Sequence, residues 1–146
     1  YDAIDIMLVA SMREPFGRTS MEAQARGCPL IVSAVDGLPE TLEEGNTAAQ
    51  VVPDWSLDEY QKELGGNVES VLPWAYDPAK DELVQPKAVS PDRLAAAVQR
   101  LVTDDKAYRE ASLSGLRNAN ARFLPELYGP AVDAAVANLV RSGERT

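Results

Sequence analysis

A chain of 146 residues, 45% of them hydrophobic, has room for a single domain with a sizeable core. Its formal charge of −9, with the acidic excess lying in the first hundred residues, repels phosphate backbones and argues against nucleic acid as a partner. The lack of histidine excludes a Ser-His-Asp triad, a His-ligated metal and a His general base within the chain, and the single cysteine, Cys28, excludes an internal disulfide or a Cys-x-x-Cys pair.

In chain order, Ile4 to Ala10 is a short apolar run, as expected for a strand buried on both faces of a parallel sheet. Asp2 and Asp5 at its start read as solvated strand-edge acids, because a divalent ion needs more convergent oxygens than they supply. The stretch from Arg13 to Gly27 follows. Pro15 and Gly17 are turn formers, and Gly17 lets the backbone approach a ligand closely or take a positive φ. A helix starting near Arg18 and capped by Gly27 leads into a second strand, Leu30-Ile31-Val32, ending at Ser33, so the whole reads as a βαβ unit. The first N–H groups of that helix have no partner within it and carry partial positive charge, which suits an anion and above all a phosphate. Glu14 precedes the loop and Glu22 lies about one turn inside the helix, so the two acids can face the two ends of one elongated ligand. Cys28, between Gly27 and Pro29, reads as a small buried thiol.

Asp36-Gly37 then makes a turn, and Pro39 opens a short helix expected to run through Glu44 and end at Gly45. Val51-Val52-Pro53 ends a third strand. Between Asp54 and Val89 a helical segment is expected at Asp58 to Leu64, with loop elsewhere. The last third reads as helical. Ser90 is placed as an N-cap before Pro91, with Leu94, Val98 and Leu101 on one face; Asp104 or Asp105 caps a second helix carrying Tyr108, Ala111, Leu116, Ala119 and Phe123. Pro125 opens a final segment with Tyr128, Val132, Ala135 and Leu139 on one stripe, which Gly129-Pro130 is expected to kink or delay. These stripes read as core.

Glu14-Pro15-Phe16-Gly17, with Glu22-Ala23 and Gly27-x-Pro29 behind it, resembles the E-x7-E motif of group 1 retaining glycosyltransferases, enzymes with two facing Rossmann-like domains. The resemblance continues through Val32-Ser33, Gly37-Leu38-Pro39-Glu40 and Glu44-Gly45-Asn46 to Val51-Val52-Pro53. It implies an α/β fold: a partial Rossmann-like C-terminal domain of the GT-B type, with a short parallel sheet, helices and a helical C-terminal third. The chain is expected to be one incomplete nucleotide-sugar-binding domain, residues 1 to 146. In the family pattern the Ser90-Pro91-Asp92 helix follows the third strand directly, which makes 54 to 89 an insertion. That arm is either a flap toward the acceptor, the other domain or a second subunit, or a surface ornament burying its own aromatics, Trp55, Tyr60, Trp74 and Tyr76.

Carried over residue by residue, the resemblance makes Glu14 the acid of the catalytic centre, beside the donor sugar. Phe16 and Gly17 match the residues whose amides hold sugar hydroxyls, the amides of Arg18 and Thr19 match those on the diphosphate, and Glu22 matches the acid on the nucleotide ribose. A carboxylate with two acceptor oxygens suits a vicinal diol. Arg18 stands where the family usually has an apolar residue; it either adds charge to the diphosphate or pairs with Glu22 at i,i+4. Asp36-Gly37 replaces a common Gly-Gly. Glu40 matches an acid seen near the donor and otherwise favours a helix N-terminus.

The implied activity is retaining transfer of a sugar from a nucleotide-diphosphate sugar to a hydroxyl acceptor, without metal or other cofactor, the fragment alone being inactive. Partners implied are the nucleotide sugar, the acceptor and an N-terminal Rossmann-like domain, with room for a membrane-peripheral parent and a homo-oligomer; a cytoplasmic setting is expected. Two other readings stand beside this one: a non-catalytic nucleotide-sugar-like binding or interaction module, and a nucleotide-sugar epimerase of the same architecture, which would not be expected to carry Glu14 and Glu22 at this spacing.

Overall fold

The computed structural model describes residues 1–43 and 49–143. Its centre is the expected βαβ unit. Strand β1 (Met7–Val9) leads through the Pro/Gly loop to helix α1 (Arg18–Ala25), and β2 (Leu30–Ser33) returns parallel to β1, with Met7 opposite Leu30 and Val9 opposite Val32. A third parallel strand, β3 (Gln50–Val51), joins on the far side of β2, Ser33 facing Val51, so the sheet order is β1-β2-β3. The turn after α1 closes as a Schellman motif: the Gly27 amide donates to the Gln24 carbonyl and the Cys28 amide to that of Ala23, with Gly27 at φ 68°.

Only the central strand is buried throughout, because its alternating side chains enter two different apolar clusters. Leu30 and Val32 pack with Val9, Ala23, Leu38 and Ala75, while Ile31 packs with Val51, Val89 and Leu101. Strand β1 is shorter than its apolar run suggests, and Leu8 is 43% exposed. The helices on that face contact β2 and β3 rather than β1, which leaves Leu8 uncovered. Cys28 is buried, as expected, and burial pushes its thiol pKa up.

After β2, the predicted short helix is a single 3-10 turn, Pro39–Thr41; Glu44, Gly45 and Asn46 lie outside the described residues. From residue 54 the chain forms β4 (Trp55–Ser56), α2 (Leu57–Leu64), β5 (Ala75–Asp77), β6 (Glu82–Val84) and β7 (Lys87–Ala88). The helix was expected. The remainder is more regular than the loop that was predicted, since β4 pairs with β7 and β5 with β6, both antiparallel. Strands of two or three residues carry too little period-two signal to stand out in a sequence. The pair β4–β7 also brings the two ends of the segment together, where Asp54 accepts from both the amide and the hydroxyl of Ser90 at 2.9 Å and pairs with Arg93 at 2.9 Å. Ser90 thus occupies the N-cap position of α3 (Pro91–Thr103), but its hydroxyl donates to Asp54 and does not cap the helix.

Helix α4 (Asp105–Arg122) is capped by Asp104, whose carboxylate accepts from the amides of Lys106 and Ala107. Leu94, Val98, Leu101, Tyr108 and Ala111 from α3 and α4 form the second cluster, as their spacing predicts. Helix α5 (Pro125–Gly143) includes Pro130 and its start is not delayed past Gly129-Pro130, the first turn being anchored by the Leu127 and Tyr128 amides on the Leu124 carbonyl. Its stripe is also not core: Tyr128 is 69% and Leu139 71% exposed. Among the described residues no helix is long and apolar enough to cross a membrane.

Candidate functional site

The loop between β1 and α1 is built around the Glu14 side chain. Gly17 is the N-cap residue of α1, with φ 80° and no side chain to cap the helix. A β-carbon there would lie 2.8 Å from Leu38 Cδ2, and the left-handed backbone strains any L side chain. Glu14 closes the loop just ahead of the helix: its Oε1 accepts from the Gly17 amide at 3.0 Å and, more weakly, from that of Phe16 at 3.5 Å. The carboxylate therefore lies at the positive end of α1. The amides of Arg18 and Thr19 have no backbone or side-chain acceptor among the described residues, as is usual for a first helical turn open to a ligand. Phe16 is 60% exposed at the tip of the loop.

Thus Glu14, Phe16 and Gly17 come together as one cluster, with Arg18 and Thr19 continuing it along the helix. Glu22 stands one turn further on with partners of its own. The Tyr1 hydroxyl donates to its Oε2 at 2.7 Å, a bond that is the chief cause of the raised Tyr1 pKa, and Arg18 lies 3.7 Å from Oε1. Arg18 forms the i,i+4 pair with Glu22, of which Arg18 is 81% exposed, so the pair contributes at most a few tenths of a kcal/mol. Glu40, at the start of the 3-10 turn, uses its carbonyl to accept from Arg122 Nη2. Among the described residues no three His, Cys, Asp or Glu side chains converge as metal ligands.

The residue that sequence reasoning missed is Asp36. Read as one half of a turn, it is a buried residue at φ 47° whose carboxylate has three polar contacts and whose amide has a fourth. Oδ2 accepts from the Glu14 amide at 2.9 Å and from Arg13 Nε at 2.8 Å, and Oδ1 accepts from the Tyr76 amide at 2.7 Å. The Asp36 amide donates to the Tyr76 carbonyl at 2.9 Å, while the Gly37 amide donates to the Glu14 carbonyl at 3.2 Å. One side chain thereby fixes the motif loop, the turn after β2 and strand β5 against each other. The available signal was the acid itself, placed where the family pattern has glycine.

A second polar system holds the other side of α1. Ser20 and Thr41 share a hydroxyl hydrogen bond of 2.6 Å, and Gln24 Nε2 donates to the Thr41 carbonyl at 2.8 Å. Asn118 donates to Gln24 Oε1 at 2.6 Å and to the same carbonyl at 2.8 Å; Arg122 reaches the carbonyls of Leu42 and Glu40, both at 2.8 Å. Ser20, Gln24, Thr41 and Asn118 are all buried, and no buried side-chain nitrogen or oxygen among the described residues lacks a partner.

Burial raises the pKa of the Asp36 carboxyl, but the Tyr76 amide, Arg13 and the Glu14 amide together outweigh it, and the net shift is downward. Asp54 behaves likewise, its burial outweighed by Ser90 and Arg93. A carboxylate whose folded pKa is depressed contributes stability that is present above its unfolded value and is lost as pH falls through the folded value. The urea midpoint is therefore expected to hold down to about pH 4 and to fall below it, with Asp36→Asn showing a shallower fall in the same titration.

Comparison with known proteins bears on the same stretch. Residues 1–64, which contain the loop, α1 and Asp36, match the family described as Glycosyl transferases group 1. The chain is 43% identical over 60 residues to the D-inositol 3-phosphate glycosyltransferase of Corynebacterium aurimucosum, a match covering 38% of this chain and 14% of that protein. The Corynebacterium glutamicum protein of the same name is 49% identical over 51 residues, 35% of this chain and 12% of that protein. A longer match, 32% identical over 134 residues, is to the Mycolicibacterium vanbaalenii protein of that name and covers 84% of this chain and 27% of that protein. The chain thus spans well under a third of the length of these relatives. No solved structure matches it.

Proposed function

We propose that this chain is the donor-binding part of a group 1 retaining glycosyltransferase, taking a sugar from a nucleotide-diphosphate sugar for a hydroxyl acceptor. The observation that carries the reading is the motif loop itself: a family match over residues 1–64 coincides with a helix N-terminus at which Glu14, Phe16, Gly17, Arg18 and Thr19 gather. In this reading Glu14 and the loop amides take the sugar hydroxyls. The Arg18 and Thr19 amides stabilise the diphosphate as it leaves, and Glu22 accepts from the ribose hydroxyls. A ligand entering the loop exchanges its hydroxyls for the Gly17 amide on Glu14, and its ribose displaces the Tyr1 hydroxyl from Glu22. Neither exchange requires rebuilding the backbone.

The remainder of the site belongs to an N-terminal Rossmann-like domain, for which the exposed face of α5 is a suitable seat. No covalent nucleophile and no metal are needed from these residues, and the chain alone is inactive in transfer. The same exposed face favours, as a second reading, an interaction module in which the chemistry is lost. Titration calorimetry with UDP, GDP and ADP and their glucose or mannose conjugates separates the two. Binding of one nucleotide, weakened about tenfold or 1.4 kcal/mol by Glu22→Ala, is expected. Where the folded chain binds none of them, the same titration on the full-length parent decides: binding there means that upstream strands complete the site, and no binding leaves the interaction module.

A further inference from the structure

Strand β5 does more than close a surface segment, because its backbone is bonded to the turn that holds Glu14. Tyr76 exchanges two hydrogen bonds with Asp36, whose other oxygen holds the Glu14 amide, so two short bonds separate the hairpin from the loop. The attachment is at the Glu14 end of the site. Glu22, a turn into α1, has no bond to the hairpin among those described. Ala75, 1% exposed, anchors the strand in the core beside Val35 and Leu38.

Alternation along a strand then puts Tyr76 on the opposite face, beside its register partner Leu83. On this face Leu83 is 69% exposed, and Trp74, which immediately precedes the strand, is 55% exposed, whereas Trp55, Tyr60 and Tyr76 are half-buried. The Tyr76 ring is held by its hydroxyl, which donates to Asp81 at 2.8 Å. A sugar ring offers hydroxyls at its rim, for carboxylates and amides, and C–H groups on its faces, for a flat apolar surface. The loop supplies the first kind of partner and the hairpin the second.

We propose that the β5–β6 hairpin is the sugar-selecting wall of the site, with Trp74 packing on the face of the donor sugar while α1 and Glu22 hold the nucleotide. This rests on the donor-binding reading above. The test is calorimetry of the nucleoside diphosphate and its sugar conjugate, side by side, on the unmodified chain, Trp74→Ala and Trp74→Phe. Trp74→Ala is expected to weaken the sugar conjugate about tenfold and to leave the diphosphate within about twofold, with Trp74→Phe retaining most of the affinity. Equal loss for both ligands, or loss for neither, overturns the assignment of the hairpin. The donor-binding reading then survives if the diphosphate still binds and Glu22→Ala weakens it. If the folded, unmodified chain binds neither ligand, the comparison moves to the full-length parent; if that binds neither, the donor-binding reading falls and the hairpin assignment falls with it.

Discussion

Replacing Asp36 by alanine is expected to lower the unfolding free energy by about 2–3 kcal/mol and to abolish detectable nucleotide-sugar binding. The substitution leaves the amides of Glu14 and Tyr76 without their acceptor and Arg13 without its counter-charge. Breaking a buried ion pair by removing one partner costs more, about 3–5 kcal/mol, but Arg13 is 27% exposed and regains water, which places the estimate lower. Asp36→Asn is the informative companion. Asparagine tolerates the left-handed backbone at φ 47° and keeps an acceptor oxygen for one of the amides, so about half the loss is expected. Urea denaturation of the two variants checks the order; equal losses would mean that the charged carboxylate holds the turn, and not the backbone conformation or the single acceptor oxygen that asparagine keeps.

The second large effect belongs to the next residue. A β-carbon on Gly37 would stand 2.4 Å from the Pro15 carbonyl oxygen and 3.2 Å from its carbon. These are backbone atoms of the motif loop, so a rotamer change cannot relieve the contact. Gly37→Ala is therefore expected to cost about 3 kcal/mol, the upper range for overpacking, and to push the loop away from the start of α1. Gly129→Ala is the control, because nothing lies within 4 Å of a β-carbon there. Thermal unfolding of both variants, with calorimetry of the bound nucleotide, measures the difference. A Gly37→Ala protein that is as stable as the parent would show that the two loops are free to separate.

Local features were legible in the sequence and long-range ones were not. The βαβ unit could be read because an apolar run, a Pro/Gly loop and a short helix ending in glycine are each signals within a few residues. Asp36 could not be given its role, since its partners Arg13, Glu14 and Tyr76 lie 23, 22 and 40 positions away. The polar seam of Gln24 and Asn118 escaped for the same reason, at a separation of 94. In α5 the stripe was seen correctly as a face; periodicity says that one side of a helix is apolar, and it is silent on whether anything covers it. As for the site, the sequence could name Glu14 and Glu22. It could not show that Glu14 accepts from the Gly17 amide or that Tyr1 reaches Glu22.

That polar seam also orders events during synthesis. Gln24 Oε1 has Asn118 of α4 as its partner, and the carbonyls of Glu40 and Leu42 have Arg122, side chains that leave the ribosome long after α1 and the sheet. Until Asn118 and Arg122 emerge, packing α1 against the 3-10 turn would bury polar groups without partners, at a cost of about 1–3 kcal/mol for each. The nascent βαβ unit thus has reason to stay loosely docked, and the seat of the motif loop is completed only after α4 emerges, although the loop is translated before α4.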